Sequence, residues 1–342
     1  MKINFYLPEK SLNDATIYYT ELIKKAFNEN NFEIKSFSNT NFKYNNSDFF
    51  FTIRVRDFIN LYKKTRSKKI IMWFQGISPE EYLMINNYSF KSKLIYYIFS
   101  ILERITLKIS YFNFFVSNKM KEHYSEKYNQ KIDNDCIIPC YNKHLNKEYF
   151  KSEIKKELSF VYAGSLYSWQ CFEKTVQLYK EIERKDSKAS LTILTKEIDE
   201  AKVILKKYKV KNYNVLYVSL DALDAELSKY QYGFLIRDNH PINNVSTPTK
   251  MNSYLAVGLI PIYTDVIYSF NENLNLLNFE IKFTFKQNIV DVANKIIENS
   301  KHINYNDFYD ICAKNFLEYY DDSFNILKIK NNLIDKIEID YK

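Results

Sequence analysis

The sequence predicts an α/β protein built from two Rossmann-like domains that face a cleft. Three observations lead to this. Short apolar runs alternate with helical patterns along most of the 342 residues, which is the mark of βαβ units around a parallel sheet. The length exceeds what one core usually organises. A polar, charged stretch from Asn142 to Lys156 interrupts the alternation, and an apolar strand begins again at Leu158. The boundary falls there. Residues 1–150 form an N-terminal domain, 151–315 a C-terminal domain and 316–342 a helical tail, whose helix is expected to cross back onto the first domain.

In order, Lys2 to Leu7 reads as a strand and Ala15 to Phe27 as a helix, with further strands at Asp48 to Val55, Lys69 to Phe74, Phe112 to Val116 and Cys136 to Pro139. The second domain repeats the scheme. Strands at Ser159 to Tyr162, Leu191 to Leu194, Val215 to Val218, Gly233 to Ile236 and Leu259 to Ile262 alternate with helices at Trp169 to Arg184, Glu200 to Tyr208, Leu223 to Tyr230 and Thr249 to Val257. The tail from Asn306 to Asp340 is amphipathic in pattern.

Hydrophobic residues make up 46% of the chain and charged ones 26%, a balance that argues against disorder. The net charge of +8 is spread along the chain among 41 acidic residues. No basic run or zinc pattern accompanies it, so nucleic acid is not the expected partner; an anionic membrane surface or a phosphorylated ligand is. Cys136, Cys140, Cys171 and Cys312 form no C-x-x-C pair and read as reduced thiols. The start, MKINFYLPEK, holds no signal-peptide run, so a cytoplasmic location is expected. His123, His144, His240 and His302 have no H-E-x-x-H spacing, so no metal site is expected; Asp133-Asn134-Asp135 precedes an apolar run and reads as a turn.

The most apolar stretch, Phe90 to Phe115, has too short an uncharged run to span a bilayer. Two readings stand: a core helix followed by a buried strand, or a helix that lies peripherally on a membrane with Lys91, Lys93, Arg104 and Lys108 near the headgroups.

Chemistry concentrates in IRDNHPINNVSTPTKMNSYLAVGLIPI, Ile236 to Ile262. A strand ends at Arg237, a polar loop containing His240 and Asn243 follows, and Pro248-Thr249 marks a helix start with Lys250 in its first turn. Free N–H groups there, with Lys250 and Arg237, suit a phosphate. A cation in a first helical turn opposes the macrodipole unless an anion joins it. Earlier, FVYAGSLYSW runs a strand into Gly164-Ser165, where backbone N–H groups can approach oxyanions closely. In IIMWFQGISPEEY a strand ends at Gln75-Gly76 with Glu80 and Glu81 just beyond. Either is a candidate catalytic base or acceptor-orienting group; equally, Pro79 starts a helix whose first-turn glutamates complement its dipole. Arg54 follows another strand on that side.

The segment PTKMNSYLAVGLIPI resembles the GT-B glycosyltransferases, above all the retaining family-4-like group, whose P-x-K-x-x-E-Y-L-A-x-G-x-P-V-I pattern it matches at Pro248, Lys250, Tyr254, Leu255, Ala256, Gly258, Pro261 and Ile262. The resemblance implies a donor site in which Lys250 contacts the donor phosphates, with Gly164, Ser165, Arg237, Asn243, Thr249 and Ser253 around it, and an acceptor side formed by Gln75, Gly76 and Arg54. Ser253 occupies the position of the family glutamate that holds the ribose, and the basic residues found in the family just after the glycine turn are absent, a charge Arg237 can supply. The resemblance further implies a nucleotide-sugar donor as co-substrate, no resident cofactor, no metal, and a surface-glycan or lipid-linked glycan acceptor. The rival expectations are a non-catalytic glycan-binding protein of the same fold and a pyruvyl or glycerol-phosphate transferase.

Overall fold

The computed structural model describes residues 1–12, 14–301 and 303–341; His302 therefore lies outside the described residues. The chain forms two compact units. The first comprises Met1–Asn142, Asn244–Thr247 and the chain from Tyr319 on; the second comprises Lys143–Asn243 and Pro248–Glu318.

The first unit runs β1 (Lys2–Tyr6), α1 (Asp14–Glu29), β2 (Glu33–Phe37), β3 (Phe49–Thr52), α2 (Val55–Thr65), β4 (Ile70–Phe74), α3 (Ser78–Ile85), α4 (Phe90–Ile109), β5 (Phe112–Phe115), α5 (Asn118–Tyr128) and β6 (Asp135–Ile137). All strands are parallel, in the order β2-β1-β3-β4-β5-β6. The central strands β3, β4 and β5 are buried throughout. Helices on both faces of a parallel sheet produce this, and continuous apolar runs such as FFFT and IIMWF are its sequence form. The edge strand β2, EIKSF, is largely exposed. Without an apolar run it escapes sequence reading, and its pairing with β1 in the register Ile3 to Ile34 makes it a strand.

The second unit runs β7 (Ser159–Ala163), α6 (Phe172–Lys185), β8 (Ser190–Leu194), α7 (Ile198–Lys207), β9 (Tyr213–Leu216), α8 (Leu220–Leu227), β10 (Tyr232–Leu235), α9 (Pro241–Asn244), α10 (Thr249–Ala256), β11 (Ile260–Thr264), α11 (Tyr268–Asn273), β12 (Ile281–Phe283), α12 (Ile289–Asn299) and α13 (Tyr305–Asn315). Its parallel sheet has the order β12-β11-β10-β7-β8-β9, the doubly wound dinucleotide-binding arrangement with its chain reversal between β7 and β10. The polar stretch after Asn142 belongs to this unit: the Lys143 amide donates to Asn252 Oδ1 at 2.8 Å and its carbonyl accepts from Asn252 Nδ2 at 3.0 Å.

Beyond Glu318 the chain returns to the first unit through α14 (Asp322–Ile329) and α15 (Asp335–Tyr341). Tyr18 on α1 and Tyr141 both donate to Asp322 Oδ1, at 2.8 and 3.0 Å, and Lys328 donates to the Ile137 carbonyl at 2.7 Å.

Helix α4 corrects the expectation of a core helix, while β5 is the buried strand expected after it. The buried side of α4 carries Ser92, Glu103, Thr106 and Leu107, and most of its Ile, Phe and Tyr residues face outward. The cause is a polar anchor. Glu103 accepts from Tyr128 at 2.7 Å and Tyr124 at 3.2 Å, and pairs with Lys127 at 3.2 Å. Lys127 also pairs with Glu80 at 2.8 Å.

Burial pushes the Glu103 carboxyl up to about 7, with the Lys127 charge acting against it. A carboxyl raised above its ordinary ~4.3 is favoured by folding in its protonated form, so its contribution is full below that value and lost as pH rises through about 7. Thermal melts between about pH 5 and pH 8 should show stability falling with pH in the native protein and a shallower slope in Glu103→Gln; identical slopes would contradict this.

Candidate functional site

In an open α/β sheet the ligand crevice lies at the carboxyl ends of the strands flanking the chain reversal. In the second unit those strands are β7, which ends at Ala163-Gly164, and β10, which leads through Ile236 into Arg237. Lys250, in the first turn of α10, reaches the same place.

Gly164 has φ +132, and a Cβ there would lie 2.6 Å from Lys250 Cε and 2.8 Å from Nζ. That conformation is nearly closed to other residues, so glycine is required both by the turn and by the lysine beneath it. Tyr162 donates to the Ser165 carbonyl at 2.5 Å, and its ring lies 4.1 Å from Lys250 Nζ. Position 170 joins the pieces: Gln170 Oε1 accepts from Lys250 Nζ at 2.7 Å and from Arg237 Nη2 at 2.5 Å, while Arg237 Nη1 donates to the Gln170 carbonyl at 3.1 Å. Thr264 on β11 clamps the Arg237 backbone in both directions, accepting from its amide at 2.9 Å and donating to its carbonyl at 2.7 Å.

The electrostatics are one-sided. Arg237 is 2% exposed, and among the described residues neither it nor Lys250 makes an ion pair. Asp238, the nearest acid in sequence, pairs with Lys174. Burial, followed by the charge of Arg237, holds the Lys250 ammonium well below the usual lysine range; burial also lowers Arg237. A buried guanidinium and a half-buried ammonium sharing one neutral amide oxygen are costly unless an anion joins them.

Further along the segment, Tyr254 seats the helix against the sheet. Tyr254 lies in the hollow left by Gly233, where a Cβ would sit 2.6 Å from its ring, and its hydroxyl donates to the Phe234 carbonyl at 3.1 Å. Thr249 opens the helix and Ser253 is buried one turn along from Lys250. Asn243 is buried and donates to the Asp238 carbonyl at 3.0 Å. The sequence reading missed Gln170. It lies in a short 3-10 turn, Ser168–Gln170, before α6, and no pattern marks an uncharged residue as the link between two cations.

In the first unit the chain reversal lies between β1 and β3. Arg54, just past β3, pairs with Asp57 and donates to the Lys10 carbonyl at 3.1 Å. Its Nη2, like Gln75 Nε2 just past β4, is buried without a hydrogen-bond partner. The two glutamates differ. Glu80 lies 2.8 Å from Lys127 and 3.3 Å from His123 Nε2; burial raises its carboxyl, but these partners outweigh it and leave the group below its ordinary value. Glu81 packs on Gly76, where a Cβ would meet its Oε1 at 2.2 Å. Burial raises its carboxyl, opposed by the Ile77 amide and reinforced by Glu80. Asp133 and Asp135 pair with Lys131 and Lys121 respectively.

Two Rossmann-like units, the second with a cationic crevice at its chain reversal, make up the GT-B glycosyltransferase fold. The solved structures that share it include Anabaena HepE in complex with UDP-glucose (TM-score 0.68, 9% identity, covering 98% of this chain and 100% of that one). They also include the lipopolysaccharide outer core galactosyltransferase WaaB in its apo form (TM-score 0.63, 13% identity, 98% and 100%). Staphylococcus aureus TarM, solved with UDP, matches at TM-score 0.61 and 12% identity over 83% of this chain, which spans only 55% of TarM. At these identities the likeness is one of fold. No family model matches the sequence, and no curated protein matches it significantly.

Gly164→Ala should displace Lys250 and weaken nucleoside-diphosphate binding, on top of a strain cost to the fold of about 1–3 kcal/mol. Lys250→Ala should weaken it by about 1.5–3 kcal/mol. Titration calorimetry with UDP and GDP checks both, and unchanged affinities would remove the anion site from this crevice.

Proposed function

We propose that the chain is a glycosyltransferase that moves a sugar from a nucleoside-diphosphate donor to a hydroxyl of a surface glycan, of the capsule, O-antigen or lipopolysaccharide type. The observation that carries this reading is the pair of buried Arg237 and half-buried Lys250, brought together at the chain reversal of a Rossmann-like sheet with no carboxylate between them. A sugar diphosphate supplies the missing charge. When the bond from the sugar's anomeric carbon to the diphosphate oxygen breaks, negative charge grows on that oxygen, and preorganised cations in a water-poor crevice stabilise it more in the transition state than in the ground state. In this reading the two side chains, with the N–H groups at the start of α10, perform the neutralisation without a metal.

The acceptor is assigned to the first unit, where Arg54 and Gln75 hold unpaired donors at the carboxyl edge of the sheet. Of the two glutamates, Glu81 has the character of a proton acceptor, since its affinity for a proton is raised; Glu80 is committed to Lys127. The fold's appearance in HepE with UDP-glucose and in a galactosyltransferase supports a sugar-nucleotide donor. Ser253 favours a second reading, a non-catalytic glycan-binding protein, because a hydroxyl holds a ribose less firmly than the carboxylate of the family pattern.

The test is nucleotide release from a panel of UDP-, GDP- and dTDP-sugars with glycan and lipid-linked acceptors. One donor class should turn over, and Glu81→Gln should lower kcat by about a hundredfold or more with donor binding intact. Absence of turnover for every donor and acceptor would refute the transferase reading, and glycan binding without turnover would move the assignment to the second.

A further inference from the structure

Helix α4 carries its apolar side outward. Phe90, Leu94, Tyr97, Ile101 and Ile105 recur every three or four residues and so form one stripe. They are exposed, Phe90 at 89%, Tyr97 at 65% and Ile101 at 59%. The α3 side extends this surface with the exposed Ile85 and Tyr88, and α3 packs against α4. The helix cannot roll to hide the stripe without pulling Glu103 from Tyr124, Tyr128 and Lys127.

Charge on the helix is equally one-sided. Lys91, Lys93, Arg104 and Lys108 are all exposed, and its one acidic residue, Glu103, is buried. The outer surface therefore bears four cations and no anion. Contiguous apolar surface of this kind marks an interaction site, and the charge names the occupant. A second copy of the chain docked symmetrically would bring cations against cations. An anionic bilayer takes apolar side chains at its acyl boundary and cations at its phosphates. Among the described residues no helix is long and apolar enough to cross a membrane.

We propose that α4, with the turn at Tyr88, lies on an anionic lipid surface, with Phe90, Leu94, Tyr97 and Ile101 at the headgroup boundary and the four cations on lipid phosphates. This holds whatever the donor crevice binds. The full chain is floated with vesicles of phosphatidylglycerol and phosphatidylcholine, and with phosphatidylcholine alone. It should rise with the first and not the second, and be released as salt increases. Leu94→Ser with Ile101→Ser should cut partitioning by about tenfold or more, and Lys91→Glu with Lys93→Glu by about fivefold or more per charge. All four sites are exposed, so circular dichroism should be unchanged. Three outcomes would overturn the proposal: failure to float with anionic vesicles, variants that float like the native chain, or a solution dimer that Leu94→Ser with Ile101→Ser dissociates and that leaves the lipid unbound.

Discussion

Arg237 and Lys250 meet on a single amide oxygen, that of Gln170, and much of the second unit is arranged around that contact. The two positive groups, one buried and one half-buried, repel each other, and the fold holds them together by means that supply no negative charge. Thr264 fixes the arginine backbone, Gln170 binds both heads, and the Tyr162 ring faces the lysine ammonium. Gly164 is the turn that leaves room for the lysine, and Gly233 lets Tyr254 seat α10 against β10. A carboxylate in place of Gln170 would cancel one of the two charges and weaken the pull on an anion.

The same logic runs in reverse in the first unit. There the buried acids have partners: Glu103 and Glu80 share Lys127, with two tyrosine hydroxyls completing the Glu103 shell. Groups with partners of opposite charge hold a structure, and cations without one are free to hold a ligand. One consequence is that α4 is anchored by its polar side, which leaves its apolar side for a partner. The cationic crevice and the exposed helix thus follow from one rule about where a charge finds its partner.

The two-unit α/β architecture was legible in the sequence because buried parallel strands are written as unbroken apolar runs, as in FFFT and IIMWF. The edge strand β2 was not, since EIKSF owes its conformation to β1. The approach of Arg237 to the turn after β7 could be anticipated as a charge replacing those missing there, whereas Gln170 could not, because an amide linking two cations leaves no spacing pattern. Glu80 and Glu81 are adjacent in sequence and look equivalent; only packing separates them, one against Lys127 and the other against Gly76. For α4 the sequence shows the apolar stretch but not which side faces in, which Glu103 and its tyrosine partners decide.

The most direct test of an anion site made of uncompensated cations is proton linkage. Lys250 is held below the usual lysine range when the crevice holds no anion, and a bound diphosphate should restore its affinity for a proton. Calorimetric titration of the nucleotide at a series of pH values, in buffers of different ionisation enthalpy, should reveal proton uptake that grows on the alkaline side as affinity weakens, and Lys250→Met should abolish that pH-dependent uptake. Binding of undiminished affinity in Lys250→Met, with the same proton count as the native protein, would contradict the account.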